Sequence, residues 1–258
     1  MPVFFIAGTL MLLFAYVVKP SVHALPNKKE WKQLVIFALL NTTIYLGAFV
    51  LALKQVSAGI GSLSVATNPL FIIVLSAVWL KRKLHWFEAF GVVLGLAGVV
   101  MATYPLLKNS FATMQGLLIL LAGMVSVSAA TVYYAKVKWS LSALVINGWQ
   151  VLIGGLLLFP FTLIFADFGL SKFNLQFWLS VAWLIIPVSV IALQLWFYLV
   201  KLDAVRASLW MFLCPIFGFV YAYLLLNEPI TWFTWAGTLL VIAGLYIAQS
   251  KKIKGEKN

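Results

Sequence analysis

The chain consists largely of apolar stretches long enough to cross a lipid bilayer, and this feature constrains its fold more than any other. A transmembrane α-helix needs about 20 predominantly apolar residues, and short polar breaks separate such stretches along the whole sequence. Only 9% of the residues are charged and 64% are hydrophobic, whereas a soluble domain carries about 25% charged residues. We therefore predict an all-α integral membrane protein, because a soluble fold could not bury so much apolar surface.

Nine transmembrane helices are predicted from these stretches. They span residues 3–19, 33–53, 57–80, 86–104, 113–136, 141–165, 175–200, 204–226 and 231–249. The breaks are only a few residues long, so neighbouring helices are expected to run antiparallel. A signal peptide over residues 1–24 is the alternative for the first stretch, but no basic residue precedes its apolar run, which favours a retained helix.

The basic residues alternate between the two sets of breaks and predict the topology. Fifteen of the 18 Lys and Arg residues fall in one set of alternate breaks and at the C-terminus, and the other three are Lys54, Lys108 and Lys172. Cytoplasmic loops carry an excess of Lys and Arg, so we predict a multi-pass cell-membrane protein with a cytoplasmic C-terminal tail, residues 250–258. Topology also accounts for the net charge of +12, and we predict no nucleic-acid partner.

Two halves of the sequence match each other at a fixed shift of 146 residues. The shift places Pro69 on Pro215, Trp86 on Trp232 and Gly98 on Gly244. It covers five helices, an odd number, so equivalent helices would cross the membrane in opposite directions, as in many secondary transporters. The repeats are predicted at residues 1–104 and 113–249. The counterpart of helix 113–136 would precede Met1, so the pattern is that of a ten-helix design without its first helix. Either a start site assigned too late or a natural nine-helix variant would explain this.

The two halves also resemble a known family. The segments "SAGIGSLSVATNPLFIIVLSAVWLKRKLHWFEAFGVVLGLAGVV" and "DAVRASLWMFLCPIFGFVYAYLLLNEPITWFTWAGTLLVIAGLY" are similar to the EamA branch of the drug/metabolite transporter superfamily. The family pattern has small residues, a mid-helix proline, an acidic residue near the next loop, and a Gly-rich helix. Glu228 fits the acidic position, and Arg82 departs from it. The resemblance implies a ten-helix carrier of small metabolites, usually an exporter, with both termini cytoplasmic.

Neutral polar and aromatic residues are the candidates for a solute path. Asn41, Tyr45, Ala48 and Ala52 share one helix face, and Ser57, Gly61, Ser64 and Asn68 share another. The predicted substrate-binding residues are Asn41, Tyr45, Ser64, Asn68, Ser126, Tyr133, Gln194, Tyr198 and Trp210. Pro69 and Pro215 are predicted to break their helices near the midplane, which is a sequence indication of a transport site. The alternative for each polar residue is a hydrogen bond between helices without a ligand.

The sequence predicts no catalytic residues, no metal site and no cofactor. Neither His23 nor His85 lies within a predicted helix, and Cys214 is the single cysteine. We expect a secondary transporter of an amino acid or a related amphipathic solute, exporting it by alternating access. The alternative is a non-transporting membrane scaffold or a degenerate relative. The expected partners are the substrate and the lipid bilayer, and a homodimer is left open. Gly91, Gly95 and Gly98 are expected to form a helix-packing face.

Overall fold

The computed structural model describes residues 2–18, 25–56, 58–83, 85–107, 112–165, 174–226 and 231–255. Twelve helices occur there: α1 (Pro2–Leu13), α2 (Lys28–Ala38), α3 (Tyr45–Ala52), α4 (Ala58–Val65), α5 (Asn68–Trp79), α6 (Trp86–Leu107), α7 (Met114–Lys136), α8 (Ala143–Phe165), α9 (Leu175–Trp183), α10 (Leu193–Leu209), α11 (Leu213–Leu226) and α12 (Trp232–Gly255). Within these residues the β-structure is limited to an isolated bridge between Val56 and Ala112. The predicted all-α class is confirmed.

Three irregular segments connect helices without a loop. α2 continues into α3 through a π-helical segment, Leu39–Ile44, which we call πA. α9 continues into α10 through a longer π-helical segment, Leu184–Ala192, which we call πB. α10 continues into α11 through a turn of 3₁₀-helix, Trp210–Phe212. In addition, α1 ends in a short π-helical turn, Phe14–Val18.

Several helical stretches are apolar and long enough to cross a membrane. Four reach the length of a span: Lys28–Ala52, Met114–Lys136, Ala143–Ile164 and Leu175–Phe217. The last has 43 residues and includes two predicted helices, with a non-helical backbone at Asp203 between them. Shorter apolar helices lie at Pro2–Val17, Leu63–Trp79, Trp86–Ala102 and Trp232–Ala248. Backbone groups must be satisfied internally in lipid, and helices achieve this.

α2 begins earlier than its apolar run predicts. The expected start was residue 33, but the helix begins at Lys28 because Asn27 and Glu30 form a capping box. Asn27 Oδ1 accepts from the backbone N–H of Glu30 at 2.9 Å, and Glu30 Oε2 accepts from the N–H of Asn27 at 3.0 Å. These bonds satisfy backbone donors that have no partner within the first turn.

The chain folds as two compact units, and each draws on both halves of the sequence. Unit 1 comprises Met1–Gly47 and Tyr133–Leu202, and unit 2 comprises Ala48–Val132 and Asp203–Asn258. The 146-residue shift relates residues 1–47 to residues 147–193, which also lie in unit 1. The compact units therefore do not coincide with the predicted repeats at 1–104 and 113–249; each unit combines one part of the first half with its counterpart from the second.

Unit 1 has an apolar core where α1 packs along α8. Ala7, Met11, Val151, Val181 and Ile185 form this cluster, and each is less than 9% exposed. A second cluster is aromatic: Tyr134 stacks on Phe37 and on Phe197, with ring centroids 5.4 and 4.7 Å apart. These contacts leave the polar side chains of α8 to face πA and πB.

Unit 2 is built around the antiparallel pair α6 and α12, which approach through glycines. A methyl group at Gly98 would lie 2.6 Å from the carbonyl oxygen of Gly237, and one at Gly91 would lie 2.6 Å from that of Gly244. The expected packing role of Gly91 and Gly98 is confirmed. The contacts are reciprocal, because the 146-residue shift places Gly91 on Gly237 and Gly98 on Gly244. Two elements related by a twofold axis make contacts of this kind.

Candidate functional site

The two π segments lie at corresponding positions of the two sequence halves. Shifted by 146, πA falls on residues 185–190, inside πB. Pro187 lies in πB, and its missing N–H and its ring are incompatible with a regular α-helical turn. Irregular turns leave backbone groups without an intrahelical partner, and in lipid these must be satisfied by side chains. π-helical segments occur frequently at functional sites.

Two buried amides on α8 join πA to πB. Asn41 Nδ2 and Thr42 Oγ1 of πA donate to Gln150 Oε1 at 3.3 and 2.8 Å. Gln150 Nε2 donates to Asn147 Oδ1 at 3.1 Å, and Asn147 Nδ2 donates to the carbonyl oxygen of Ser189 in πB at 2.7 Å. Asn147 is 0% and Gln150 1% exposed. We call this chain of bonds, from Asn41 and Thr42 through Gln150 and Asn147 to Ser189, the amide relay.

A glycine brings πA against α8, so that the relay bonds can form. A methyl group at Gly154 would collide with the Thr42 side chain. The hydroxyl of Thr43, next to Thr42, donates to the carbonyl oxygen of Gly154 at 3.1 Å. α8 therefore presents bare backbone to πA one turn beyond the amides, and small residues permit such close helix contacts in membranes.

In unit 2 the candidate residues lie around a broken helix. α4 ends at Val65 and α5 begins at Asn68, with Pro69 in its first turn, where a missing N–H is tolerated. Asn68 is 1% exposed, and its Oδ1 accepts from the hydroxyl of Ser128 on α7 at 3.2 Å. In the second half, the 3₁₀ turn Trp210–Phe212 precedes α11, which contains Pro215. Both predicted helix-break prolines thus follow an interruption of the α-helix.

Four charged side chains form a cluster elsewhere in unit 2. Arg82 donates two parallel hydrogen bonds to Glu88, both at 2.8 Å, and a third to Asp203 Oδ2 at 2.8 Å. Arg206 Nε lies 3.8 Å from Glu88 Oε1 and 3.6 Å from Asp203 Oδ2. The Glu88 side chain is 0% exposed. Two positive and two negative charges balance, as a buried ionic group requires. We call these four residues the ionic cluster.

The ionic cluster also organises the start of a helical segment. The backbone of Asp203 is extended, and its Oδ1 accepts from the N–H groups of Val205 and Arg206 at 3.0 and 3.1 Å. Burial is the largest influence on the pKa of Arg82 and lowers it, but the hydrogen bond to Glu88 and the charge of Asp203 outweigh it and raise the pKa above its ordinary value. Arg82 therefore remains a permanent cation at this position.

Five of the predicted site residues lie in unit 1: Asn41, Tyr45, Tyr133, Gln194 and Tyr198. Asn41 belongs to the amide relay, and Tyr45 follows it as the first residue after πA. Gln194 Nε2 donates to the carbonyl oxygen of Ala143 at 3.4 Å. Tyr198 is 63% exposed. The structure therefore connects Asn41 to a buried polar network and leaves Tyr198 at the surface of its unit.

The other four lie in unit 2: Ser64, Asn68, Ser126 and Trp210. The hydroxyl of Ser64 donates to the carbonyl oxygen of Gly61 in its own helix at 2.6 Å. Asn68 and Ser126 are buried, and Trp210 is 48% exposed. Ser57, which was predicted to share the face of Ser64 and Asn68, lies outside the described residues, as does Glu228.

The sequence reading missed the members of both networks that matter most for their connectivity. Asn147 and Gln150 are two amides spaced three residues apart in an otherwise apolar helix, which is a visible signal of one polar face. They were overlooked because residues 1–4, their counterparts under the 146-residue shift, carry no polar side chain for comparison. Arg82 and Arg206 were attributed to topology alone, although each has an acidic partner in the ionic cluster.

Comparison with known proteins identifies the family. The sequence model of the EamA-like transporter family matches residues 3–104 and 114–249. The chain belongs to this family. The expectation drawn from the two repeat segments is therefore confirmed, and the protein is a membrane protein of the EamA transporter type.

Relatives with curated names are transporters from several kingdoms. The chain is 28% identical over 247 residues to the uncharacterized transporter YvbV of Bacillus subtilis, covering 93% of this chain and 79% of the relative. It is 25% identical over 260 residues to the probable amino-acid metabolite efflux pump of Escherichia coli, covering 96% and 85%. A chloroplastic WAT1-related protein of Arabidopsis thaliana is 26% identical and is covered over 60% of its length, with 93% of this chain aligned.

A solved crystal structure shares the fold. It superimposes with a TM-score of 0.78 at 20% sequence identity, over 95% of this chain and 85% of the solved chain. At this identity the likeness concerns the fold alone.

Proposed function

We propose that this EamA-family protein is a secondary transporter that exports a small amphipathic solute, such as an amino acid or a related metabolite, by alternating access. The observation that carries the proposal is the chemistry of the amide relay. Its members are neutral amides and hydroxyls, buried beside irregular helix within membrane-capable segments. Such groups suit a neutral or zwitterionic solute better than a strongly charged one. The Escherichia coli relative named as an amino-acid metabolite efflux pump supports the same solute class.

The proposed mechanism needs two sequence halves that cross the membrane in opposite directions. The reciprocal glycine contacts of α6 and α12 and the corresponding positions of πA and πB support this arrangement. So does the match of the family to the chain in two successive stretches. With the charge asymmetry of the loops, the proposed topology places the C-terminus in the cytoplasm.

The proposed solute-contacting residues are the nine predicted ones: Asn41, Tyr45, Ser64, Asn68, Ser126, Tyr133, Gln194, Tyr198 and Trp210. Asn41 and Gln194 are the amides that we expect to contribute most in unit 1, because both lie next to a π segment. The carboxylate of Glu88 is bonded to Arg82, so we do not assign it a role as the coupling site.

Uptake into proteoliposomes tests the proposal. The purified protein would be reconstituted and offered a panel of radiolabelled amino acids and related metabolites, with protein-free liposomes as the blank. We expect saturable flux of at least one solute, and about a tenfold lower kcat/KM in Gln194→Ala and Asn68→Ala, the loss expected when about 1.4 kcal/mol of interaction is removed. Thr162→Val is the matched control, because the Thr162 hydroxyl donates only to Leu158 of its own helix among the printed contacts.

Two results would count against the proposal in different ways. No flux of any solute above the blank, with folded protein in the membrane, would favour a scaffold that does not transport. Flux that is unchanged in both Gln194→Ala and Asn68→Ala would preserve the transport activity but remove these residues from the solute path.

A further inference from the structure

The amide relay connects two segments that are far apart in sequence. πA and πB are separated by α8, and the described side-chain hydrogen bonds between them pass through Gln150 and Asn147. We propose that Gln150 and Asn147 are positioning residues that make the conformation of πA depend on that of πB, and so orient solute-contacting residues of the transporter. This inference rests on the proposed transport function and specifies how unit 1 would serve it.

The hydrogen-bonding capacity of the two amides makes the relay directional. Gln150 Oε1 accepts from both Asn41 and Thr42, and its Nε2 donates to Asn147. A flipped Gln150 amide would place donors against donors. Asn147 Nδ2 in turn donates to the Ser189 carbonyl and also contacts Met11 Sδ at 3.3 Å. Each amide is thereby fixed in one orientation by partners on both sides.

Burial makes the relay difficult to break at a single link. Asn147, Gln150 and Thr42 are at most 3% exposed, and an unsatisfied polar group in an apolar interior is strongly unfavourable. If πA moved away from α8, Gln150 Oε1 would lose its donors. If πB changed its turn, the Ser189 carbonyl would leave Asn147. A change at one π segment is therefore transmitted to the other, because the intermediate amides have no alternative partner among their printed contacts.

The consequence for the site follows from helical geometry. Tyr45 is the first residue after πA, and Gln194 is the second residue after πB. Converting a π turn to a regular α turn removes one residue from the turn, and one residue corresponds to about 100° of rotation around a helix. Such a conversion would turn Tyr45 or Gln194 to a different face. The relay thus sets where two proposed solute contacts point.

Spin labelling tests the coupling without depending on transport. A nitroxide would be attached to Val188→Cys in πB, where Val188 is 40% exposed, after the single cysteine is removed by Cys214→Ser. Thr42→Val then removes one donor in πA at a distance from the label in the bonding chain, and Gln150→Leu removes the centre of the relay. Thr162→Val is the matched control on α8.

We expect Thr42→Val and Gln150→Leu to change the line shape of the spectrum from position 188, with the larger change for Gln150→Leu, and Thr162→Val to leave it unaltered. Identical spectra in all four proteins would overturn the coupling. Should Gln150→Leu fail to fold, Thr42→Val alone decides the question, because it removes a single hydroxyl and conserves the side-chain shape.

A transport measurement then decides whether the coupling serves the proposed function. We expect Thr42→Val to lower the maximal rate roughly threefold, as the loss of one buried hydrogen bond would, and Thr42→Ser to restore it. An altered spectrum with an unaltered rate would overturn the positioning role. Absence of flux in the unsubstituted protein would refute the transport proposal, while the spectra would still report on the coupling of πA and πB.

Discussion

The two compact units bury polar groups of different kinds. Unit 1 contains neutral amides and hydroxyls, connected in the relay from Asn41 to Ser189. Unit 2 contains full charges in the ionic cluster and bare backbone contacts between α6 and α12. Neutral hydrogen bonds can be exchanged for bonds to a solute at small energetic loss, whereas a buried ion pair cannot lose one partner without a large penalty. The comparison indicates that unit 1 is suited to rearrangement and that unit 2 is suited to rigidity.

The largest expected effect is in the rigid contact of unit 2. Gly98→Val would push a side chain against the carbonyl oxygen of Gly237, which has no room to move because it belongs to a packed helix. We expect the free energy of unfolding to fall by about 3 kcal/mol, measured by SDS titration of the protein in mixed micelles. The control is Val93→Ala on the same helix, at a position that is 61% exposed. Equal stability of Gly98→Val and the control would contradict the assigned rigidity.

The next effect concerns the ionic cluster. Glu88→Gln removes the buried carboxylate that accepts two hydrogen bonds from Arg82. We expect a loss of about 2 kcal/mol in the same titration, below the value for fully buried pairs because Arg82 is partly exposed. The double variant Glu88→Gln with Arg82→Gln should recover part of the loss, since it leaves fewer unpaired charges. A double variant as destabilised as the sum of its single variants would show that the two residues do not interact.

A smaller effect is expected in the relay of unit 1. Thr42→Val removes the 2.8 Å hydrogen bond to Gln150 and preserves shape. We expect the free energy of unfolding to fall by about 1 kcal/mol. The comparison between the units would be reversed if this variant proved more destabilising than Glu88→Gln.

The smallest expected effect is at the edge of the aromatic cluster in unit 1. Lys201 Nζ lies 5.5 Å from the ring centroid of Tyr134, and an exposed cation–π contact contributes about 0.5 kcal/mol. Lys201→Met keeps the aliphatic stem and removes the charge. A change in melting temperature that is no larger for Lys201→Met than for Lys138→Met, measured in detergent, would show that the contact does not stabilise the unit.

The sequence predicted the fold class because apolar length and charge alternation are strong, local signals. The family followed from two segments that repeat Pro, Trp and Gly at one shift. The π segments could not be predicted, because πA contains no proline and its irregular turn depends on contacts with Gln150 and Gly154. Such contacts join residues more than 100 positions apart.

The candidate site was predicted less completely than the fold. Asn41 and Asn68 were identified from helix periodicity, and the structure places both in hydrogen-bonded contacts. Asn147 and Gln150 were missed because a repeat comparison highlights only positions where both halves carry polar residues. The ionic cluster was missed because Asp203 and Arg82 are 121 positions apart, and topology alone gave a sufficient reason for the basic residues.

The central claim is that the two sequence halves cross the membrane in opposite directions, and cysteine labelling tests it most directly. Lys83→Cys and Asn227→Cys, each in the Cys214→Ser background, would be treated in intact cells with a membrane-impermeant maleimide. Asn227 lies outside the described residues, so its side is predicted from the sequence. The proposed arrangement predicts labelling of Asn227→Cys in intact cells and of Lys83→Cys only after permeabilisation. Labelling of both from the same side would contradict it.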